Sequence, residues 1–102
     1  MSAGAGAGIL VAVAKRVHVY ISGQVQGVGF RWYCRDEAIR RRLAGYVKNM
    51  ADGRVEAVFE GEPSAVDGMI EWCKTGPDWA KVDGIESWEE RPAGDQKFVI
   101  SR

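Results

Sequence analysis

The chain changes its period abruptly at one place, and that place limits what it can fold into. Val17, Val19 and Ile21 alternate with His18, Tyr20 and Ser22, the two-residue repeat of a strand. Phe30, Cys34 and Ala38 then recur every four residues, the stripe of a helix. Between them lie Gly23, Gly27 and Gly29. Such a loop lets successive backbone N–H groups converge, and the free N–H groups of the helix's first turn add partial positive charge. Arg31 supplies a fork of donors that matches phosphate geometry. The junction is therefore a candidate anion site. It is not a nucleotide P-loop, since G-x-x-x-x-G-K-[ST] is absent, and Gly27-Val28-Gly29-Phe30-Arg31-Trp32 lacks the third glycine of a dinucleotide fingerprint. Taken alone, the loop is better read as a glycine-rich turn beside an exposed arginine.

The remaining periodicity completes an order. The first helix is expected from Phe30 to about Arg42, with Asp36, Glu37 and the arginines on its wet face. Tyr46 to Asn49 and Val55 to Glu60 are short alternating runs, and Asp52-Gly53 between them signals a hairpin. Pro63 suits the first turn of a second helix, on which Val66, Met69, Ile70 and Cys73 follow helical spacing until Gly76-Pro77. Val82 to Glu90 and Lys97 to Ile100 read as strands. The order β-α-β-β-α-β, with a short fifth strand at the end, is the ferredoxin-like split βαβ plan of an α+β fold. Two helices would cover one face of an antiparallel sheet. RNA-binding modules share this plan, but they need a basic, aromatic third strand, and Arg54 to Glu60 carries two carboxylates. No nucleic acid is expected.

A chain of 102 residues suits one domain, here residues 15–102 after an extension of residues 1–14. Its formal net charge is zero, yet the charge is segregated. Lys15 to Lys48 holds eight basic and two acidic residues, and Asn49 to Arg102 holds six and twelve. The basic part carries the anion loop, although Arg40-Arg41-Arg42 also reads as solvated helix charge. Cys34 and Cys73 fall on apolar helical faces, so buried free thiols and a reducing, cytoplasmic setting are expected. No His/Cys/carboxylate set has metal-ligand spacing, and no apolar run is long enough to span a membrane. His18 is expected to be a sheet-surface side chain, and Trp32, Tyr33 and Trp72 to be packing groups. Ile9 to Ala14 is wholly apolar and follows a Gly/Ala run. It is expected to extend the first strand or to mediate self-association.

Two segments together carry a resemblance. Gly23-Gln24-Val25-Gln26-Gly27-Val28-Gly29-Phe30-Arg31 fits G-x-V-Q-G-V-x-F-R. Gly45-Tyr46-Val47-Lys48-Asn49 with Asp52-Gly53 fits G-[aromatic]-V-[basic]-N and a D-G turn. Trp72-Cys73-Lys74-Thr75-Gly76-Pro77 with Ala80 and Val82 adds to it. From Lys15 to Ile100 the chain resembles the acylphosphatase family, which has the same fold. The resemblance implies hydrolysis of a small acyl phosphate to a carboxylate and inorganic phosphate, the product being a competing ligand. It places Arg31 and Asn49 in catalysis and the backbone of Gln26, Gly27, Val28, Gly29 and Phe30 around the phosphoryl group, with no cofactor and no metal. Asn49 has no useful pKa and cannot be a general base. Its amide oxygen can orient a water, and its N–H2 can meet developing charge. Read without the resemblance, Asn49 is a turn former at a strand end. A phosphate-binding or interaction module without turnover is the alternative reading. One departure stands out: family members commonly carry Leu-Gly where Arg41-Arg42 stand. Arg41 should lose a core contact, and Arg42 lacks glycine's ease in left-handed geometry.

Overall fold

The computed structural model describes residues 14–102; Ile9 to Val13, the bulk of the apolar run, lie outside the described residues. The elements in chain order are β1 (Lys15–Gln24), α1 (Phe30–Arg40), β2 (Ala44–Asn49), β3 (Val55–Gly61), α2 (Pro63–Thr75), β4 (Lys81–Glu90) and β5 (Phe98–Ile100). The sheet order is β4-β1-β3-β2-β5. The four longer strands pair antiparallel, as the pattern implied. β5 adds the one parallel pairing, alongside β2, which makes the sheet mixed. Its Phe98 stacks on Phe59 of β3 with ring centroids 5.6 Å apart, which seats this short strand.

One face of the sheet meets both helices. Val17, Val19 and Ile21 of β1, Val47 of β2 and Val55, Ala57 and Phe59 of β3 point into the core. Phe30, Cys34 and Ala38 of α1 and Val66, Met69 and Cys73 of α2 meet them there. Both cysteines are free and fully buried, as their spacing suggested. Burial pushes the Cys34 thiol well above its ordinary pKa, and the neighbouring Cys73 adds to this. Trp72 packs its ring 5.6 Å from that of Phe30. Trp32 and Tyr33 do not pack into the core: they are 56% and 50% exposed. They lie off the Phe30/Cys34/Ala38 stripe, and the expectation of packing fails for that reason. No helix among the described residues is long and apolar enough to cross a membrane.

Helix endings follow local chemistry. α2 starts at Pro63, and the Glu62 carboxylate accepts from the Ser64 N–H at 2.8 Å. It stops at Gly76, whose N–H donates to the Trp72 carbonyl. α1 stops at Arg40, two residues short of the expected Arg42. The N–H of Arg42 donates to the Ile39 carbonyl at 2.9 Å, and that of Leu43 to the Ala38 carbonyl at 2.9 Å. This double closure is a Schellman motif, with the buried Leu43 as its apolar partner. It requires a left-handed residue, and Arg42 takes that place at φ +60°, the only non-glycine with positive φ among the described residues. Arg41 keeps a contact despite its charge. Its Nε donates to Glu37 at 2.7 Å, and its guanidinium lies over Gly68 of α2, where a Cβ would come within 2.3 Å of Nη1.

The opposite face carries a polar network. Arg16 reaches Glu60 at 2.9 Å, Glu90 at 3.1 Å and Asp95 at 2.9 Å. His18 is more constrained than a plain surface side chain. It faces Glu90 at 2.7 Å through Nδ1 and Glu56 at 2.7 Å through Nε2, and it stacks on Trp88 at 4.7 Å. The Tyr46 hydroxyl donates to Glu56 at 2.8 Å. Burial would raise the Glu60 pKa, but the N–H groups of Ala93 and Gly94 and the Arg16 guanidinium outweigh it and hold the carboxyl below its ordinary value. Glu56 is lowered in the same way, with burial opposed by Tyr46 and His18.

Two outcomes are expected. Arg42→Gly should remove a left-handed penalty of about 1 kcal/mol, which alone would raise Tm by roughly 4–8 °C, and the larger freedom of glycine in the unfolded chain should trim that to a smaller net rise. A thermal melt that is unchanged or lowered would contradict this. The second concerns acid. A carboxyl with a depressed folded pKa contributes stability that is present above its unfolded pKa and lost as pH falls through the folded value. Glu60 and Glu56 should therefore give an acid limb that begins below the ordinary carboxylate value of 4.5. Glu60→Gln should lower Tm at neutral pH and flatten that limb, so that the two melting curves draw together as pH falls below the ordinary carboxylate value. Curves that stay parallel throughout the acid limb would show that Glu60 is not among the groups responsible.

Candidate active site

The β1–α1 loop is held from two sides. Val25 and Phe30 are each 1% exposed, and Val28 packs against the core between them. The intervening Gln26, Gly27 and Gly29 are left more exposed. Gly27 has φ +76° and Gly29 φ +79°, values that L side chains rarely adopt. The second hold is polar. The side-chain N–H2 of Gln26 donates to the Met50 carbonyl at 2.8 Å and to the Arg54 carbonyl at 2.9 Å. Those residues open and close the turn between β2 and β3, where Met50 N–H also donates to Arg54 at 2.8 Å. Gln26 thus ties the loop to the residue that directly follows Asn49.

Gly29 is the N-cap of α1, with no side-chain cap and no acidic residue in the first turn. Among the described residues, no backbone N–H from Gln26 to Arg31 donates to a protein acceptor. A helix N-terminus left in this state presents donors and partial positive charge to an anion. Arg31 stands in that first turn, half-buried and without an ion pair among the described residues. The arginines at the far end of the helix differ: Arg40 of α1 and the C-cap Arg41 are both tied to Glu37.

Asn49 is the last residue of β2, paired with Val55 across the hairpin. Its Oδ1 is buried and accepts no hydrogen bond, the only side-chain polar atom of which this is true among the described residues. A buried acceptor without a partner costs free energy and calls for a functional reason. The fold thus brings together, at one end of the sheet, the loop, the first turn of α1 and the end of β2. The role of the Gln26 side chain could not be read from the pattern, because it depends on which carbonyls the hairpin turns toward the loop.

A cavity of about 740 Å3 lies at the other end of the sheet, lined by Ala14, Arg42, Leu43, Ala44, Lys97 and Phe98 among others. It contains none of the loop residues. Among the described residues, no group of three or more His, Cys, Asp or Glu side chains is placed to hold a metal ion.

Comparison with known proteins gives the family. The Acylphosphatase family model matches residues 17–100. The acylphosphatase of Rubrobacter xylanophilus is 55% identical over 80 residues, covering 78% of this chain and 73% of its own length. That of Chloroflexus aurantiacus is 52% identical over 86 residues, covering 83% and 94%. A crystal structure of acylphosphatase from Bacillus subtilis superposes with a TM-score of 0.83 at 40% identity, over 86% of this chain and 99% of that one. The matched segment runs from the first core residue of β1 to the end of β5 and includes the loop, Arg31 and Asn49. The chain belongs to the acylphosphatase family.

Proposed function

We propose that the chain is an acylphosphatase that cleaves the carboxyl-phosphate bond of acyl phosphates, with the β1–α1 loop as phosphoryl cradle and Asn49 as the group that aims water. The observation that carries this reading is the buried, unpartnered Oδ1 of Asn49 beside a loop whose N–H groups make no protein hydrogen bond. An acyl phosphate is a mixed anhydride and already reactive. The enzyme's task is to hold the phosphoryl group, offset its charge and position one water.

The N–H groups of Gln26, Gly27, Val28, Gly29 and Phe30 wrap the phosphoryl oxygens, and the Arg31 guanidinium grips two of them. Asn49 Oδ1 accepts one hydrogen bond from the water and directs its lone pair at phosphorus. A P–O bond to the water forms as the P–O bond to the carboxylate breaks, and the carboxylate leaves with the bonding pair. The water's proton passes to an oxygen of the phosphate itself, since an amide cannot take it. The charge-neutralising work assigned to a divalent ion in many phosphoryl transfers falls here to Arg31 and the loop. Two free, buried thiols support a reducing, cytoplasmic setting.

Arg31 and Asn49 should separate binding from chemistry. Arg31→Ala should abolish both phosphate binding and turnover, and Arg31→Lys should retain little of either, because a point charge does not replace a planar fork. Asn49→Ala should lower kcat about 100-fold or more while inorganic phosphate still competes. Steady-state kinetics on acetyl phosphate with phosphate as inhibitor reads both. A lysine variant near wild-type turnover, or an Asn49→Ala enzyme that loses phosphate affinity but keeps kcat, would refute these roles. A wild-type chain that binds phosphate and turns over no acyl phosphate would instead be a binding module. Activity should also survive exhaustive chelation, and a loss restored by one specific divalent ion would contradict the metal-free route.

A further inference from the structure

Arg31 opens onto more than the phosphoryl cradle. A groove of about 480 Å3 runs from it along one side of α1, lined by Trp32, Arg35, Val99, Ile100 and Arg102. Arg35 lies one helical turn beyond Arg31, and its guanidinium sits 4.6 Å above the Trp32 ring, which fixes its direction. Arg102 arrives from the other wall. β5 runs parallel to β2 with Val47 opposite Ile100, and the Ser101 N–H extends the pairing to the Val47 carbonyl at 2.8 Å. The chain beyond β5 thus travels beside β2 toward Asn49 and brings Arg102 to the same end of the sheet.

The groove holds three arginines and no acidic residue. The one acidic partner of Arg35 is Asp36, at 3.3 Å and 66% exposed, a pair that water largely screens. Arg31 and Arg102 have no ion pair among the described residues. The other side of α1 has the opposite character. There Asp36, Glu37 and Asp78 line a second groove of about 400 Å3 with Tyr33, Trp79 and one cation, Arg40, which is tied to Glu37, so that acidic groups outnumber basic ones. A phosphoryl group held at Arg31 is therefore flanked by a cationic groove on one side and an acidic one on the other. A substrate tail with negative charge is drawn to the first and repelled by the second.

We infer that the groove beside Arg31 receives the acyl part of the substrate, and that Arg35 and Arg102 select acyl groups carrying a second anion, a carboxylate or phosphate a few bonds from the carbonyl. The inference rests on the loop being the phosphoryl cradle. The groove's apolar wall, Val99 and Ile100, accommodates the intervening carbons, and the two guanidinium groups meet the terminal charge. A short uncharged acyl group gains nothing from either arginine. Discrimination thus arises in an acyl-tail interaction separate from the phosphoryl contacts.

The test compares succinyl phosphate, with a free carboxylate, and acetyl phosphate, with none, on wild type, Arg35→Gln, Arg102→Gln and Arg102→Glu. Wild type should show the higher kcat/KM with succinyl phosphate, and added salt should shrink the difference. Each glutamine variant should lower kcat/KM for succinyl phosphate about three- to tenfold and leave that for acetyl phosphate within about twofold. Arg102→Glu should lower the ratio further. Equal kcat/KM for the two substrates in wild type, or variants that depress both alike, would overturn the inference and leave the hydrolase reading intact. Failure of wild type to hydrolyse either substrate would overturn the hydrolase reading, and this inference with it.

Discussion

The structure depends on how the β1–α1 loop is held still. A run of backbone N–H groups binds an oxyanion well only if it does not have to be ordered at the moment of binding. Val25, Val28 and Phe30 supply that order by packing into the core, and Gln26 supplies it again through the Met50 and Arg54 carbonyls. The two holds differ in kind. The apolar one fixes the loop to α1 and the sheet, and the polar one fixes it to the β2–β3 turn that follows Asn49. The spacing between the loop and Asn49 is therefore set by the fold itself, through bonds that lie wholly within the protein.

The polar face of the sheet serves the same end by a different route. β1 lies between β3 and β4, so any slip of its register would move the loop. Arg16 is tied to Glu60, Glu90 and Asp95, and His18 lies between Glu56 and Glu90, so β1 is linked on its outer face to both neighbours. Glu60 is the one buried charged residue among those described, and its carboxylate is also met by two backbone N–H groups after β4. A buried charge so fully matched costs little in the folded state and disfavours alternatives that would leave it unmatched.

Much of this was legible in the chain because it is local. The strand alternation before Ile21, the Phe30/Cys34/Ala38 stripe, Pro63 at a helix start and Gly76 at its end each act within a few residues, and each stands where the pattern put it. The loop and Asn49 were marked by motif, and the fold brings them together. What escaped is non-local. Nothing near Phe98 announces that β5 runs parallel to β2, and nothing near His18 announces two carboxylates from strands 38 and 72 residues away. Trp32 and Tyr33 lie off the buried stripe of α1 and are exposed, so the core does not take them. Arg41-Arg42 did mark a local difficulty, and its resolution needed coordinates: the helix stops earlier, Arg42 accepts a left-handed backbone, and Arg41 finds Glu37 and the bare surface of Gly68.

The central claim is geometric, and a crystal structure grown with inorganic phosphate tests it most directly. The account predicts phosphate on the N–H groups of Gln26 to Phe30 with two oxygens on Arg31, and a water hydrogen-bonded to Asn49 Oδ1 within reach of phosphorus. Phosphate bound instead in the cavity beside Arg42 and Lys97, with the loop N–H groups turned to protein acceptors, would contradict it.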